Sequence, residues 1–277
     1  MELKYECSNG TIIDLMKEPV FTQSPETLLK TAWSYKSISA INNRNKIKNF
    51  FKDLQQSSLQ LSIMTDTAEE FNDIMSKLYR CFDRDVKTLK PGKIWWNDFY
   101  KEVFIISPTP SDFEEMFEST EIDLDIIFPY SFWIRKEKHR FPAVTEAAGS
   151  LDYPYDFSFD FGCPNSQETF INDCICDADF ELVLYGPITN PCVTINGHDY
   201  EILTTLEQGE YAVVNSNERT ITQFSVTGEA KSIFNLRNKE SEIFEKIPEG
   251  LCFISRNSHM GFDIIIYNEW GAPKTWI

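Results

Sequence analysis

With 43 Asp and Glu, seven Cys and three His, the 277-residue sequence holds raw material for acid–base, thiol and metal chemistry. A glycosidase-type pair needs two carboxyls held across a sugar at a defined separation. No spacing singles out such a pair, and most of the carboxylates are expected to be solvated surface. Asp152, Asp156 and Asp160 recur at every fourth position of SLDYPYDFSFDFG. Calcium loops instead alternate Asp or Asn ligands around a Gly and end in Glu, whereas Tyr and Phe fill the intervening positions here. Cys174 and Cys176 are too closely spaced for a zinc knuckle, and no second CxxC or HxxxH completes a tetrahedral set. His139, His198 and His259 are scattered among Lys/Arg-rich, turn and loop contexts, and no GxSxG, P-loop or GxGxxG occurs. The expectation is no catalytic residue, no metal and no cofactor, in a protein that works by binding or assembly.

Charge narrows the partners. Lys and Arg number 26, for a formal net charge of −17. A field of that sign disfavours nucleic-acid phosphates and anionic membranes, so no sequence-specific nucleic-acid binding is expected. The excess is local. Met1 to Arg140 holds 19 basic and 22 acidic residues, Phe141 to Glu218 holds 14 acidic residues and no Lys or Arg, and Arg219 to Ile277 holds seven of each sign. That step predicts a boundary near residue 141. The one local basic cluster is KSISAINNRNKIKNF, residues 36 to 50, read as a long exposed loop or arm.

At 42% hydrophobic and 14% aromatic, the composition is sufficient for a globular core. The longest apolar runs, such as Ile264 to Tyr267 and Val103 to Ile106, are strand-sized, against the roughly 20 residues that cross a bilayer. No charged-then-apolar leader opens the sequence, so neither a membrane span nor a secretion signal is expected. The odd, irregularly spaced cysteines are expected to be reduced thiols.

The elements that must position these side chains are mostly strands. Leu3, Tyr5 and Cys7, then Ile12, Ile13 and Leu15, flank Ser8-Asn9-Gly10, and the Asn-Gly pair supplies the positive φ of a tight hairpin. Phe71, Ile74, Met75, Leu78, Tyr79 and Phe82 lie on one face of a helix that begins at the capping box Thr67/Glu70 and ends before Pro91-Gly92. Strands follow at Lys93–Trp96 and Tyr100–Ile106 around Asn97-Asp98, and Ile122, Leu124 and Ile126 alternate with Asp123 and Asp125.

Residues 1–140 thus read as a mainly β domain with one helix, and 141–165, punctuated by Pro142, Gly149, Pro154, Gly162 and Pro164, as a linker. In 166–277, seven strand-length runs separated by turns read as an all-β sandwich: Phe180–Tyr185, Val193–Ile195, Tyr200–Leu203, Tyr211–Val214, Thr220–Val226, Cys252–Ser255 and Phe262–Tyr267.

Several segments resemble the distal tail proteins of long-tailed bacteriophages. RCFDRDVKTLKPGKIWWNDFY (Arg80 to Tyr100) and IDLDIIFPYSFW (Ile122 to Trp133) are similar to parts of that family's N-terminal domain, and YPYDFSFDFG (Tyr153 to Gly162) to its linker. YGPITNPCVTING, LEQGEYAVVNSNERTI, NLRNKESEIFEKIPEG and DIIIYNEWGAPKTW follow the order of its C-terminal galectin-like sandwich. Residues 20–60 find no match.

The resemblance implies a fold that is mainly β, with a ring-forming N-terminal domain carrying one α-helix, followed by a galectin-like β-sandwich. It implies a ring, commonly six-fold, at the virion tail tip, made in the host bacterial cytoplasm, with N-terminal domains lining the lumen. The neighbours implied are the tail tube protein, the tail-tip hub or tail-associated lysin protein, and often a receptor-binding protein. On this reading the arm residues Lys36, Arg44, Lys46, Lys48 and Lys52 make subunit contacts, and Tyr153, Tyr155, Phe157 and Phe159 dock the linker. The alternative is a lectin-like module that binds carbohydrate at the host surface.

Overall fold

The computed structural model describes residues 2–39, 45–110, 120–143, 168–257 and 259–274. Its chain forms two compact units, Met1–Arg135 with Trp270–Ile277, and Lys136–Glu269. Among the described residues the architecture is mainly β with one α-helix, as the sequence predicts.

In the first unit the strands are β1 (Leu3–Glu6), β2 (Ile12–Asp14), β3 (Met16–Lys17), β4 (Val20–Thr22), β5 (Ser34–Ser39), β6 (Asn45–Phe51) and β7 (Gln55–Ile63). After the helix α1 (Ala68–Thr88) come β8 (Gly92–Trp96), β9 (Phe99–Pro110), β10 (Thr120–Phe128) and the start of β11 (Trp133–Phe141). The sheet order is β11-β9-β10-β7-β4-β3, with β8, β1 and β2 following one another from β9. Alternation makes one face apolar: Leu59 and Leu61 of β7, Ile105 of β9 and Ile122, Leu124 and Ile126 of β10 are all buried. The helix covers that face with Phe71, Leu78 and Phe82.

The Thr67 side chain caps the helix by accepting from the Glu70 amide at 3.2 Å, as the capping-box spacing predicts. The sequence reading passed over Asp85, which is fully buried on the last turn. Its carboxylate accepts from Tyr5 Oη at 2.5 Å, the Ser8 amide at 2.9 Å and Cys7 Sγ at 3.2 Å, tying the helix end to the opening hairpin. In that hairpin only Gly10 takes positive φ, at +84°, and its amide bonds the Cys7 carbonyl at 2.8 Å. The turn is therefore a type I turn with a glycine bulge, one residue longer than the tight Asn-Gly form.

The reading of residues 36 to 50 as a loop is corrected. Of these, residues 36–39 and 45–50 belong to an antiparallel ribbon, β5 on β6, that among the described residues pairs with no other strand. Lys36 faces Asn49 and Ser37 faces Ile47, so Lys48 is an extra, bulged residue. The bulge shifts the phase of β6, so Ile47 and Phe50 share no period-2 repeat by which that strand could be seen.

The second unit contains β12 (Glu168–Asn172), β13 (Phe180–Tyr185), β14 (Ile188–Thr189), β15 (Cys192–Ile195), β16 (His198–Glu201) and β17 (Thr205–Leu206). It continues with β18 (Tyr211–Asn215), β19 (Thr220–Phe224), β20 (Ala230–Ser232), β21 (Gly250–Arg256) and β22 (Phe262–Trp270). One sheet runs β20-β19-β18-β13-β22 and continues onto β11; the other runs β12-β21-β15-β16. Phe180, Leu182, Val214 and Ile264 of the first sheet and Val193, Ile195 and Cys252 of the second belong to one buried apolar cluster. That is a β-sandwich. β12, β20 and the two-residue β14 and β17 lie outside the predicted runs.

Candidate functional site

The ribbon β5–β6 presents the clearest unsatisfied surface. Trp33, Tyr35 and Phe50 are 57%, 61% and 54% exposed, and Ile38, Ile47 and Leu54 are similarly open. Tyr35 stands directly opposite Phe50, ring centroids 6.4 Å apart. The three rings leave on the order of 300 Å² of aromatic surface in water, comparable to the largest apolar patch of a typical monomer. A two-stranded ribbon is marginally stable on its own. Its exposed aromatic rings are of the type enriched at interface centres, and its lysines of the kind left to a polar rim.

Its foot is firmly built. Lys52 Nζ lies 3.8 Å from the Phe132 ring centroid and 5.2 Å from that of Trp33, and donates to Thr31 Oγ1 at 2.9 Å and the Ser131 carbonyl at 3.3 Å. Ser131 Oγ donates to the Asp53 carbonyl at 2.8 Å, and Ser34 Oγ to the Asp53 carboxylate. Beneath lies Lys101, 1% exposed. Its ammonium donates to Gln55 Oε1 at 2.7 Å and sits 4.0 Å from the Phe128 ring centroid. Burial, and then the neighbouring Lys52 charge, lower the Lys101 pKa to about 7.

The predicted basic residues separate accordingly. Lys46 and Lys48 are exposed on β6, and Lys36 Nζ lies 5.5 Å from the Phe51 ring centroid. Lys52 belongs to the foot rather than the ribbon, while Arg44 lies outside the described residues, as do Tyr153, Tyr155, Phe157 and Phe159. Sequence reasoning found the cations and missed the aromatics between them. Trp33, Tyr35 and Phe50 were the available signal, of which the bulge hides the β6 part.

A second surface of the same unit has the opposite chemistry. On the outward side of β10, Asp123 faces Gln60 of β7 and Thr109 of β9, and Asp125 faces Ser58 and Ser107. Glu121 accepts from Gln23 Nε2 at 2.9 Å and Gln60 Nε2 at 3.0 Å. None of these side chains is apolar or cationic.

One cluster has the elements of a nucleophilic triad. In the second unit, Ser241 Oγ is 3.3 Å from His198 Nε2, and His198 Nδ1 is 3.4 Å from Glu245 Oε2. Yet His198 Nε2 is 2.9 Å from the Glu242 carbonyl, to which it must donate, and the Ser241 hydroxyl donates to the Asp199 carbonyl at 2.6 Å. The hydroxyl proton is directed away from the ring, so the arrangement holds residues 241–245 against β16 rather than activating an oxygen.

His139 instead packs its ring on Phe170, centroids 4.8 Å apart. Six described cysteines are free thiols. Burial pushes Cys192 up to about 11 and Cys174 up to about 12, so neither is a thiolate at neutral pH. Among the described residues no His, Cys, Asp or Glu cluster is arranged to hold a metal, and no helix is long and apolar enough to cross a membrane.

A scan of protein-family models and a search of curated proteins give no match. Solved structures do. SPP1 Dit (gp 19.1), described as a paradigm of the hub adsorption apparatus in Gram-positive infecting phages, matches with TM-score 0.58 and 8% identity over 97% of this chain and 99% of its own. A chain of the phage P2 baseplate in its activated conformation with Ca matches with TM-score 0.66 and 13% identity over 98% and 99%. A chain of the p2 baseplate with Sr matches with TM-score 0.68 and 12% identity over the same shares, 98% and 99%. The chain therefore has a Dit-like fold, shared with SPP1 Dit and with chains of the phage p2 baseplate.

Proposed function

We propose that this chain is a structural adaptor of a phage or prophage-derived tail tip. Copies form a homo-oligomeric ring, six-fold in this reading, that joins the tail tube protein to the tail-tip hub or tail-associated lysin protein, with a receptor-binding protein outside. The chain is made in the host bacterial cytoplasm and ends at the virion tail tip. The observation that carries the reading is the Dit-like fold, matched over 97% to 98% of the chain.

The two surfaces of the first unit support it. The ribbon β5–β6 clasps the adjacent copy with Tyr35, Phe50 and their flanking lysines, a heterologous contact that closes a ring when the rotation closes. The face bearing Asp123 and Asp125 turns to the passage, where a polyanion meets carboxylates rather than cations.

Light scattering of the full chain over a concentration series tests the reading. A ring is expected, and deleting residues 36–52 is expected to shift the population towards monomer. An unchanged ring after deletion removes the ribbon from the interface. A chain that stays monomeric and associates with no tail protein removes the adaptor role.

A further inference from the structure

The two edges of the sheet β12-β21-β15-β16 differ. The β16 edge is covered: the Ser241 hydroxyl donates to the Asp199 carbonyl at 2.6 Å, and the Asn238 amide to the Glu201 carbonyl at 3.1 Å. Beyond β12, among the described residues, no strand pairs. The Asn196 amide donates to the Phe253 carbonyl at 2.9 Å and the Asn257 amide to the Cys192 carbonyl at 3.2 Å. Odd-numbered residues of β21 therefore turn their backbone groups to β15. Alternation turns Cys252 and Ile254 to β12, where their partners are Phe170 and Glu168. The amides and carbonyls of Thr169 and Ile171 then point out of the sheet's edge, and no described backbone group pairs with them.

The face beside that edge is apolar. Ile171 stands directly opposite Leu251, with Phe253 next on the same side of β21, and the three are 58%, 51% and 44% exposed. Alternation with the buried Phe170, Cys252 and Ile254 holds them outward. Native sheets commonly blunt an edge with a lysine, a proline or a bulge, and β12 has none of these. Its one charge, Glu168, is paired with Arg256.

We propose that this edge takes up an extended, lysine- or arginine-rich segment of a partner protein as a fifth strand. Thr169 and Ile171 offer two amides and two carbonyls to its backbone, and Ile171, Leu251 and Phe253 offer an apolar floor to alternate side chains. Charge selects the partner. Asp173 and Glu249 adjoin the Asn172–Gly250 pair that ends β12, Asp177 lies on the loop that follows, and all three are exposed. The cations of this region are engaged: Arg256 holds Glu168 and the carbonyls of Pro142 and Met260, and Lys246 holds Asp179 at 2.8 Å. A cationic segment offsets the local excess, whereas a second copy brings a further net charge of −17. The five residues of β12 accommodate about 17 Å of extended chain. The edge is the same whether or not copies close into a ring.

Residue-resolved hydrogen exchange on the full chain tests this. The probes are short peptides that alternate valine with lysine, alternate valine with glutamate, or carry the same valines and lysines in two blocks. Exchange of the Thr169 and Ile171 amides is expected to slow about tenfold or more with the alternating lysine peptide and to stay unchanged with the other two. Thr169→Pro removes an outward donor without touching the ladder to β21, and should weaken binding about fivefold. Ile171→Lys puts a like charge on the floor, should weaken binding about tenfold or more, and decides the matter if the proline variant does not fold. No slowing at millimolar peptide, equal slowing by either control peptide, or binding undiminished in a folded variant overturns the proposal. Slowing already present without peptide overturns it too: at low protein concentration it assigns the edge to the chain's own segments, and if it grows with concentration, to a second copy.

Discussion

The ribbon β5–β6 and the β10 face belong to one compact unit, yet they offer water opposite surfaces. On the ribbon, Tyr35 and Phe50 face each other in solvent between lysines; on β10, Asp123 and Asp125 face only Gln, Ser and Thr. Strand β7 links the two regions, since its first residue, Gln55, holds Lys101 at the ribbon's foot and its later residues pair with β10. Around Asp123 and Asp125 the β10 face is complete as it stands: its apolar side is buried and its wet side is polar. The ribbon has no second layer within its own sheet, and an exposed aromatic pair of that kind gains most from a partner.

The strongest way to break this contrast is to make the ribbon resemble the β10 face. Tyr35→Ser with Phe50→Ser should weaken self-association on the order of 100-fold or more, the scale of two lost aromatic anchors. Sedimentation of variant and parent reads this, with an unchanged thermal melt showing that the fold survives. Association unchanged by the pair of substitutions would mean that the ribbon is only surface.

The foot should register next. Because the Lys101 pKa falls to about 7 in the folded chain, the unfolded chain binds the extra proton between that value and the ordinary lysine range. Stability therefore rises with pH through that window, and the penalty is fully present below about pH 7. Lys101→Met should remove the rise and raise stability at pH 6 by an amount on the order of a few kcal/mol. Denaturant melts at pH 6 and pH 9 measure both effects, and a parent chain with a flat pH profile would contradict the burial argument. The smallest effect sharpens the other side. Asp123→Lys with Asp125→Lys should leave the ring intact and give it weak retention of duplex DNA, lost as salt rises. Equal retention by the parent would show that the acidic face has no role in keeping DNA free.

Local signals were legible in the sequence where the physics is local. The apolar stripe from Phe71 to Phe82 and the Thr67/Glu70 box predicted α1, and the Ile122/Leu124/Ile126 alternation predicted the buried face of β10. What failed depends on distant partners or a broken period. Lys48, as an extra residue, broke the period of β6 and helped a ribbon pass as a basic loop. Asp85 reads as one more helix carboxylate until Tyr5, Cys7 and Ser8 are brought to it by folding. The open edge of β12 depends on strand register across three strands, which no single segment encodes.

The central claim is that the ribbon is the contact through which copies of this chain close. Electron cryo-microscopy of the full chain at high concentration tests it most directly. The account predicts a closed ring in which each β5–β6 ribbon lies against the adjacent copy, with Tyr35 and Phe50 buried between them. A ring whose ribbons stand free in solvent, or particles of a single copy only, would contradict it.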